Sequence, residues 1–410
     1  MNSIAERYVK LVLKIGLHDE GYVDAYYGPK EWLPKDSTVS MNDSTAFTDL
    51  NAEADTLLNQ LEALGNLKAD EIETLRYTFL YKQLLAVKTR LFMIFGGTLD
   101  FDSETKALYD AVTPQLSGEH FDSVLTEIDK IIPGTGDLQK RFENFRNQFI
   151  IPKDKIDGVF RAAIDECRKR TLQYIDLPAD ENFELEYVVN KPWAAYNWYK
   201  GNSFSLIQIN TELPVYIDRA VDLAAHEGYP GHHVYNALLE KELMRKRGWV
   251  EYSVYPLYSP QSLIAEGTAN HGIGIVFPGE SRINFEREVL FPIAGLDTSL
   301  TDDYYKVLEL MSNLSFAGNE AARNYLDGKW TREASLNWLM KYLLMTGERA
   351  EQRMKFVDHY RGYVINYNLG EQIVENYVKK SMAGSNEEEL RWKIFTKLLS
   401  TPQTPSGLMR

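Results

Sequence analysis

Apolar residues recur at three- and four-residue spacing along most of this chain, and no other feature constrains its fold as strongly. Two clear examples are Leu57, Leu58, Leu61 and Leu64, and then Leu75, Phe79, Leu80, Leu84 and Val87. One face of an α-helix repeats at this spacing, so the pattern predicts a mainly α-helical protein. Helix-ending residues agree, because Gly96-Gly97 and Pro133-Gly134 each follow a long helical stretch.

The segment from Phe183 to Asn210 departs from the helical pattern. It alternates polar with β-branched and aromatic residues, and Gly201-Asn202 separates two of its runs. This composition predicts a small antiparallel sheet, which would lie next to the helix that follows it. An exposed edge on the strand Phe204–Asn210 would bind an extended peptide by main-chain hydrogen bonds, which makes a peptide the expected substrate.

The length of 410 residues allows a core divided between two lobes. We predict an N-terminal helical lobe at residues 1–150. Residues 151–410 are predicted to form a second lobe with the small sheet and the C-terminal helices. The sequence says nothing about the oligomeric state.

Net charge, cysteine content and the N-terminal residues limit the possible partners, the disulfide content and the cellular location of the protein. The formal net charge of −14 disfavours nucleic acid and anionic lipid as partners. The chain has one cysteine, Cys167, so the fold forms without an internal disulfide. Lys10 and Lys14 interrupt an N-terminal apolar run that is too short for a secretory leader or a membrane span. These features predict a cytoplasmic protein with no membrane partner.

The positions of the histidines indicate a site with a chemical function. Four of the seven histidines lie between residues 226 and 271. The first three belong to the run His226-Glu227-Gly-Tyr-Pro-Gly-His232-His233, which is similar to the zinc-hydrolase signature H-E-x-x-H. In that signature, two histidines one turn apart share a metal ion and the glutamate polarises a water.

The spacing in this run does not suit an unbroken helix. His232 would lie about 240° around the axis from His226, and His233 would lie about 10.5 Å along it, too far for one ion. Pro230-Gly231 offers a solution, because proline interrupts a helix and glycine accepts unusual backbone angles. If two residues loop out, His232 takes the second ligand position. His233 then lies beside that direction, where it is suited to contact substrate or a ligand, although its role as the second ligand stays open.

A third ligand is expected on a neighbouring helix. Glu266 lies in an apolar helical stretch and precedes Gly267, which would permit close approach of another helix. Asn270 shares the face of Glu266, four residues on. His271 is about 140° from Glu266 and is a weaker candidate, either as a ligand or as an oxyanion contact.

These motifs resemble those of the bacterial family called domain of unknown function 885, whose members carry H-E-x-x-P-G-H-H and then an E-G-containing helix. The family is regarded as zinc metallopeptidases of mainly helical, gluzincin-like layout. The resemblance implies Zn²⁺ on His226, His232 and Glu266, with Glu227 as general base. It also implies, less specifically, that Arg361 and either Tyr360 or Tyr367 steady the oxyanion. Members of the family often continue E-G-W-A and have a further acidic residue seven positions after the glutamate ligand, whereas this chain has Thr268 and Ile273 at those places.

The sequence therefore predicts a zinc-dependent metallopeptidase that hydrolyses short peptides with a metal-activated water and a glutamate base. One alternative keeps the metal but hydrolyses a non-peptide amide or ester. Another is a catalytically silent zinc-containing binding protein, which would have no need of Glu227.

Overall fold

The computed structural model describes residues 1–35, 44–65, 70–191 and 193–410. Helices dominate the part of the chain before the predicted sheet. They are α1 (Asn2–Ile15), α2 (Ser44–Leu64), α3 (Glu71–Ile94), α4 (Phe101–Tyr109), α5 (Gly118–Ile131), α6 (Leu138–Arg146) and α7 (Ile156–Thr171).

The strands are short and the remaining elements are again helices. The strands are β1 (Val23–Tyr26), β2 (Asn182–Val188), β3 (Ala195–Tyr199), β4 (Phe204–Asn210) and β5 (Val254–Pro256). The later helices are α8 (Asp218–Leu223), α9 (His232–Leu239), α10 (Pro260–Val276), α11 (Ser281–Phe285), α12 (Phe291–Ala294), α13 (Thr301–Asn313), α14 (Ala317–Leu326), α15 (Arg332–Tyr342), α16 (Gly347–Tyr360), α17 (Ile365–Met382), α18 (Glu388–Leu399) and α19 (Pro405–Leu408). The mainly α-helical prediction is confirmed.

Local sequence explains where several helices begin. The side chains of Asp70, Asp100 and Asp137 each accept a hydrogen bond from the backbone N–H three residues later, at the starts of α3, α4 and α6. Such caps satisfy donors that have no partner within the helix. Within the described residues, no helix is long and apolar enough to cross a membrane.

The predicted hairpin is present and belongs to a three-stranded sheet. Strands β3 and β4 pair antiparallel around Gly201, whose φ of +77° suits a tight turn. Strand β2 pairs parallel with the other side of β4, so the strand order is β2-β4-β3. Because β4 (Phe204–Asn210) is the central strand, the expectation that it offers an exposed edge is wrong. The edge strands of this sheet are β2 and β3.

The N-terminal and C-terminal portions share one hydrophobic core. Strand β1 pairs antiparallel with β5. Arg76 of α3 forms a buried ion pair with Glu251 at 2.6 Å, and Phe79 packs on Tyr252 with ring centroids 4.7 Å apart. The predicted division near residue 150 stays a prediction, and these contacts join the portions on either side of it.

The helix that carries His226 is interrupted where the sequence predicts. Helix α8 passes into a π-helical turn over Ala224–Gly228, the chain bulges at Tyr229-Pro230, and α9 begins at His232. The bulge leaves no room for a side chain at Gly231, where a Cβ would lie 1.9 Å from the carbonyl oxygen of His226. Pro230 and Gly231 therefore contribute to this break in different ways. Pro230 interrupts the helix, and Gly231 allows the chain to pass close to the carbonyl oxygen of His226.

Helices α10 and α17 cross at two glycines. A Cβ on Gly267 would lie 2.4 Å from the backbone carbon and oxygen of Gly370, and a Cβ on Gly370 would lie 2.7 Å from the carbonyl oxygen of Leu263. The crossing depends on the absence of both side chains. It brings the start of α17 against Glu266, one residue before Gly267.

We expect Gly267→Ala to lower the free energy of unfolding by about 2 kcal/mol or more, since the new methyl group meets backbone that must move. The matched control is Gly274→Ala in the same helix, where a Cβ meets nothing within 4 Å. That change should raise stability by up to about 1 kcal/mol through helix propensity. Urea denaturation measures both. Equal stabilisation by the two changes would show that the crossing tolerates a side chain.

Candidate metal centre

Three side chains from three segments converge at the helix break. His226 comes from the π-helical turn, His232 from the first turn of α9, and Glu266 from the middle of α10. The Nε2 atoms of the two histidines are 3.1 Å apart. Glu266 Oε2 lies 3.2 Å from His226 Nε2 and 3.7 Å from His232 Nε2. We call these residues the His–Glu trio.

The spacing of these atoms suits a small cation. Three atoms bound to one zinc ion at about 2.1 Å in tetrahedral directions would lie about 3.4 Å from one another. The three observed separations bracket that value. In addition, Glu266 Oε2 is buried and receives no hydrogen bond from any described residue. A buried carboxylate oxygen without a partner is costly, and a cation at this point would remove the cost.

Neighbouring side chains fix the orientation of the trio. Asn270 Oδ1 lies 2.8 Å from His226 Nδ1, and Asn270 Nδ2 donates to the carbonyl oxygen of Tyr367 at 3.0 Å. Because Asn270 Oδ1 can only accept, Nδ1 carries the proton and leaves the Nε2 lone pair for a metal. The hydroxyl of Tyr363 donates to Glu266 Oε1 at 2.8 Å, which leaves Oε2 to face the two histidines.

The electrostatics of the trio favour positive charge. Burial acts to lower the pKa of His226, but the adjacent carboxylates of Glu266 and Glu227 outweigh it and raise the pKa to about 9. Burial acts to raise the pKa of Glu266, but the two imidazoles outweigh it and hold that pKa well below its usual range. The site thus stabilises a cation, whether it is a proton or a metal ion.

Glu227 is placed as a free carboxylate beside the trio. Its side chain lines the cavity next to His226, and the residue is only 5% exposed. Its carbonyl oxygen accepts a hydrogen bond from Asn197 Nδ2 at 2.6 Å, but its carboxylate has no hydrogen bond or ion pair with the described side chains. Burial raises the pKa of this carboxyl group, against the charges of His226 and His232. An unpaired carboxylate with a raised pKa is suited to accept and return a proton.

A cavity of about 1030 Å³ opens over the trio. Its volume is at the upper end of the range for small-molecule sites and is large enough for a short peptide. Strand β3 forms one wall and helix α16 forms another. The α16 side chains on this wall are Arg349, Gln352, Arg353, Phe356 and Tyr360.

His233 lies outside the trio. Its Nδ1 is 2.8 Å from Ser205 Oγ on β4, its Nε2 is 2.9 Å from Glu181 Oε2, and the residue has no exposed surface. The expected contact of His233 with substrate is therefore not found, because both ring nitrogens are occupied behind the helix break. Its contacts fasten α9 to the sheet, and they leave His232 as the histidine that faces His226.

Only some of the C-terminal residues suggested by the family resemblance lie at the cavity. Tyr360 and Tyr367 line the cavity. Arg361 does not, because its guanidinium is bound to Glu104, with Nε donating to Oε2 at 2.9 Å. Four other arginines line the cavity. Arg219 and Arg282 are both paired with Asp222, whereas Arg349 and Arg353 on α16 have no ion pair with the described residues. The sequence contains a signal for them, since polar and aromatic side chains recur at three- and four-residue spacing from Arg349 to Tyr360.

His271 points away from the trio, as its angle from Glu266 predicts. Its ring packs 6.1 Å from the ring of Phe395, centroid to centroid, and its Nε2 is buried without a partner in the described chain. Burial lowers its pKa to about 4. His271 is therefore a neutral packing residue and contacts neither the trio nor the cavity.

The edge of β3 that faces the cavity is open. Among the described strands, β3 pairs only with β4. Lys200 N–H donates to the carbonyl oxygen of Phe204 at 2.9 Å, on the β4 side. Backbone groups alternate in direction along a strand, so Ala195 and Asn197 direct theirs to the open edge. Both residues line the cavity.

Comparisons with known proteins give little information on function. No protein-family model matches the chain, and no curated protein matches it. Among solved structures, the chain is similar to a putative lipoprotein of unknown function from Shewanella oneidensis, with a TM-score of 0.49 and 11% sequence identity. The similarity covers 88% of this chain and 72% of that one.

Proposed function

We propose that this protein is a zinc-dependent metallopeptidase that hydrolyses short peptides. The observation that carries the proposal is the His–Glu trio, in which the buried Oε2 of Glu266 accepts no hydrogen bond from the described residues and the free carboxylate of Glu227 lies beside it. This donor set of two imidazoles and one carboxylate is common among catalytic zinc sites. The resemblance of the sequence motif from His226 to His233 to that of the family called domain of unknown function 885 supports the same proposal.

His226, His232 and Glu266 would hold the metal ion. When bound, zinc would supply the Lewis acid of the reaction, polarising the scissile carbonyl and making water more acidic. Glu227 takes a proton from the attacking water and then gives it to the leaving amine. Asn270 and Tyr363 keep the ligand atoms in position during both steps.

Tyr367 is the candidate donor to the oxyanion. Its side chain lines the cavity, and burial raises its pKa well above the usual value, so that the hydroxyl stays protonated. A protonated hydroxyl can donate to the charge that develops on the scissile carbonyl. Tyr360 lines the same cavity and is the second candidate.

The open edge of β3 supports a peptide as the substrate. The N–H and carbonyl groups of Ala195 and Asn197 would pair with an extended main chain laid along the strand. A compact amide or ester has no repeating backbone to use this edge. The edge therefore favours a peptidase over a hydrolase of non-peptide amides or esters.

A mixed library of short peptides, incubated with the zinc-loaded protein and analysed by mass spectrometry, tests the proposal. We expect new peptide termini with the metal present and none after chelation. A matched sample of chelated protein with zinc restored controls for irreversible damage. Cleavage of amide or ester substrates without peptide cleavage would support the alternative hydrolase. Zinc binding with no hydrolysis of any class would support a silent binding protein.

A further inference from the structure

Arg349 and Arg353 lie one helical turn apart on α16, and both face the cavity. Neither side chain forms an ion pair or a hydrogen bond with any residue that the structure describes. The Nε atom of Arg353 is fully buried, and burial lowers the pKa of its guanidinium. We call these two residues the arginine pair.

Other buried arginines of this protein are paired. Arg76 binds Glu251 at 2.6 Å, and Arg282 binds Asp222 at 2.8 Å. Asp222, which also lines the cavity, is thus already neutralised. A buried cation without a counter-charge is destabilising, and two cations four residues apart on one helix also repel each other. The cavity also contains unpaired carboxylates, among them Glu227 and Glu309, but no carboxylate of the described residues forms an ion pair with Arg349 or Arg353. The arginine pair can therefore accept an anion from a ligand.

The aromatic contacts of the arginine pair leave its N–H groups available. The guanidinium of Arg349 lies 5.5 Å from the ring centroid of Tyr216, and that of Arg353 lies 5.3 Å from the ring centroid of Phe356. Such contacts orient a guanidinium without using its donors. A planar guanidinium with free donors matches the two oxygens of a carboxylate.

Tyr367 connects the arginine pair with the His–Glu trio. After burial, the largest influences on the pKa of the Tyr367 hydroxyl are the charge of Glu266, which raises it, and that of Arg353, which lowers it. Glu266, Arg353 and Tyr367 also line the same cavity. A peptide bound at the trio would extend past Tyr367 to the arginine pair.

We propose that Arg349 and Arg353 bind a carboxylate of the substrate, so that the enzyme prefers peptides with a carboxylate a short distance from the scissile bond. This inference rests on the proposed function and adds the substrate class to it. Two sources share this chemistry, the carboxyl terminus of the peptide and an aspartate or glutamate side chain. The binding site is the same for both.

Two pairs of peptides distinguish these sources. The first pair has the sequence of a cleaved library peptide, with either a free carboxyl terminus or a terminal amide. The second pair keeps the amide and differs by aspartate or asparagine near the cleaved bond. We expect kcat/KM to be at least about tenfold higher for the carboxylate member of one pair, as for a charge-assisted hydrogen bond. No preference in either pair would overturn the proposal.

Arg353→Gln and Arg349→Gln should each reduce that preference, chiefly through a higher KM on the carboxylate peptide. Activity on the neutral peptide should fall by a smaller factor than activity on the carboxylate peptide. Lys355→Gln removes an exposed charge from the same helix and is the matched control. Both arginine variants should also keep or increase their stability to urea, because no ion pair is lost. An equal loss of activity on both members of a pair would assign a different role to the arginines.

Calorimetric binding separates failure of this proposal from failure of the proposed function. The probes are the same free-acid and amidated peptides, added to Glu227→Gln protein so that no hydrolysis intervenes. Selective binding of the acid, lost in the Arg353→Gln background, would establish the carboxylate site even if no peptide is ever cleaved. Peptide cleavage without selective binding of either carboxylate would leave the peptidase standing and refute the site.

Discussion

Replacement of Glu227 by glutamine is expected to reduce kcat/KM for peptide hydrolysis by about 10²–10⁴-fold, the usual contribution of a general acid–base group. The change keeps the size of the side chain and removes its ability to hold a proton in transit. The change breaks no hydrogen bond or ion pair of the Glu227 carboxylate, because that group forms none with the described side chains. Zinc content, measured by atomic emission on the purified protein, should remain that of the wild type.

The matched control for this change is Glu309→Gln. Glu309 also lines the cavity and forms no ion pair with the described residues, so its replacement makes the same change of charge in the same cavity. Its activity should stay within about twofold of the wild type, as for a surface charge remote from chemistry. Full activity in the Glu227→Gln protein would contradict the proposed mechanism. Equal losses in both variants would assign the effect to cavity charge instead.

The helix break was predictable because its cause is local. Pro230 and Gly231 lie between His226 and His232, and the failure of a regular helix to bring these histidines together follows from helix geometry alone. The structure places the break at these residues, with α9 beginning at His232. The choice of Glu266 followed from its neighbour Gly267, and the crossing of α10 with α17 shows why that glycine is needed.

The C-terminal side of the site was harder to predict because it depends on the packing of distant helices. The family resemblance indicated Arg361, which lies next to Tyr360. Arg361 instead pairs with Glu104, more than 250 residues away in the sequence. Arg353, two turns earlier on α16, reaches the cavity. Sequence spacing defined a face of this helix, but only tertiary packing determines which way that face turns.

The sheet shows the same division between local and distant interactions. The turn at Gly201 joins neighbouring strands, so the β3–β4 hairpin could be predicted from its own residues. The parallel pairing of β2 with β4 needs a crossover and has no local signal. That pairing makes β4 the central strand, so the residues of β4 alone could not show that it has no open edge.

Replacement of either histidine ligand is expected to abolish zinc binding. His226→Ala and His232→Ala should each reduce bound zinc from about one ion per chain to near zero, because two remaining ligands hold zinc weakly. His233→Gln should retain zinc, since both nitrogens of His233 face Ser205 and Glu181 instead of the trio. Metal analysis after dialysis against a weak chelator measures the difference.

Thermal unfolding with and without added zinc gives an independent measurement on the same three variants. A ligand that binds only the folded state raises its stability, so zinc should raise the Tm of the wild type and of His233→Gln, but not of His226→Ala or His232→Ala. His233→Gln removes buried hydrogen bonds and should itself cost about 1–3 kcal/mol. Ser205→Ala removes only the hydrogen bond between Ser205 and His233 Nδ1. This variant takes the place of His233→Gln if the latter does not fold. Loss of zinc in folded His233→Gln, together with its retention in His232→Ala, would reverse the assignment of the second ligand.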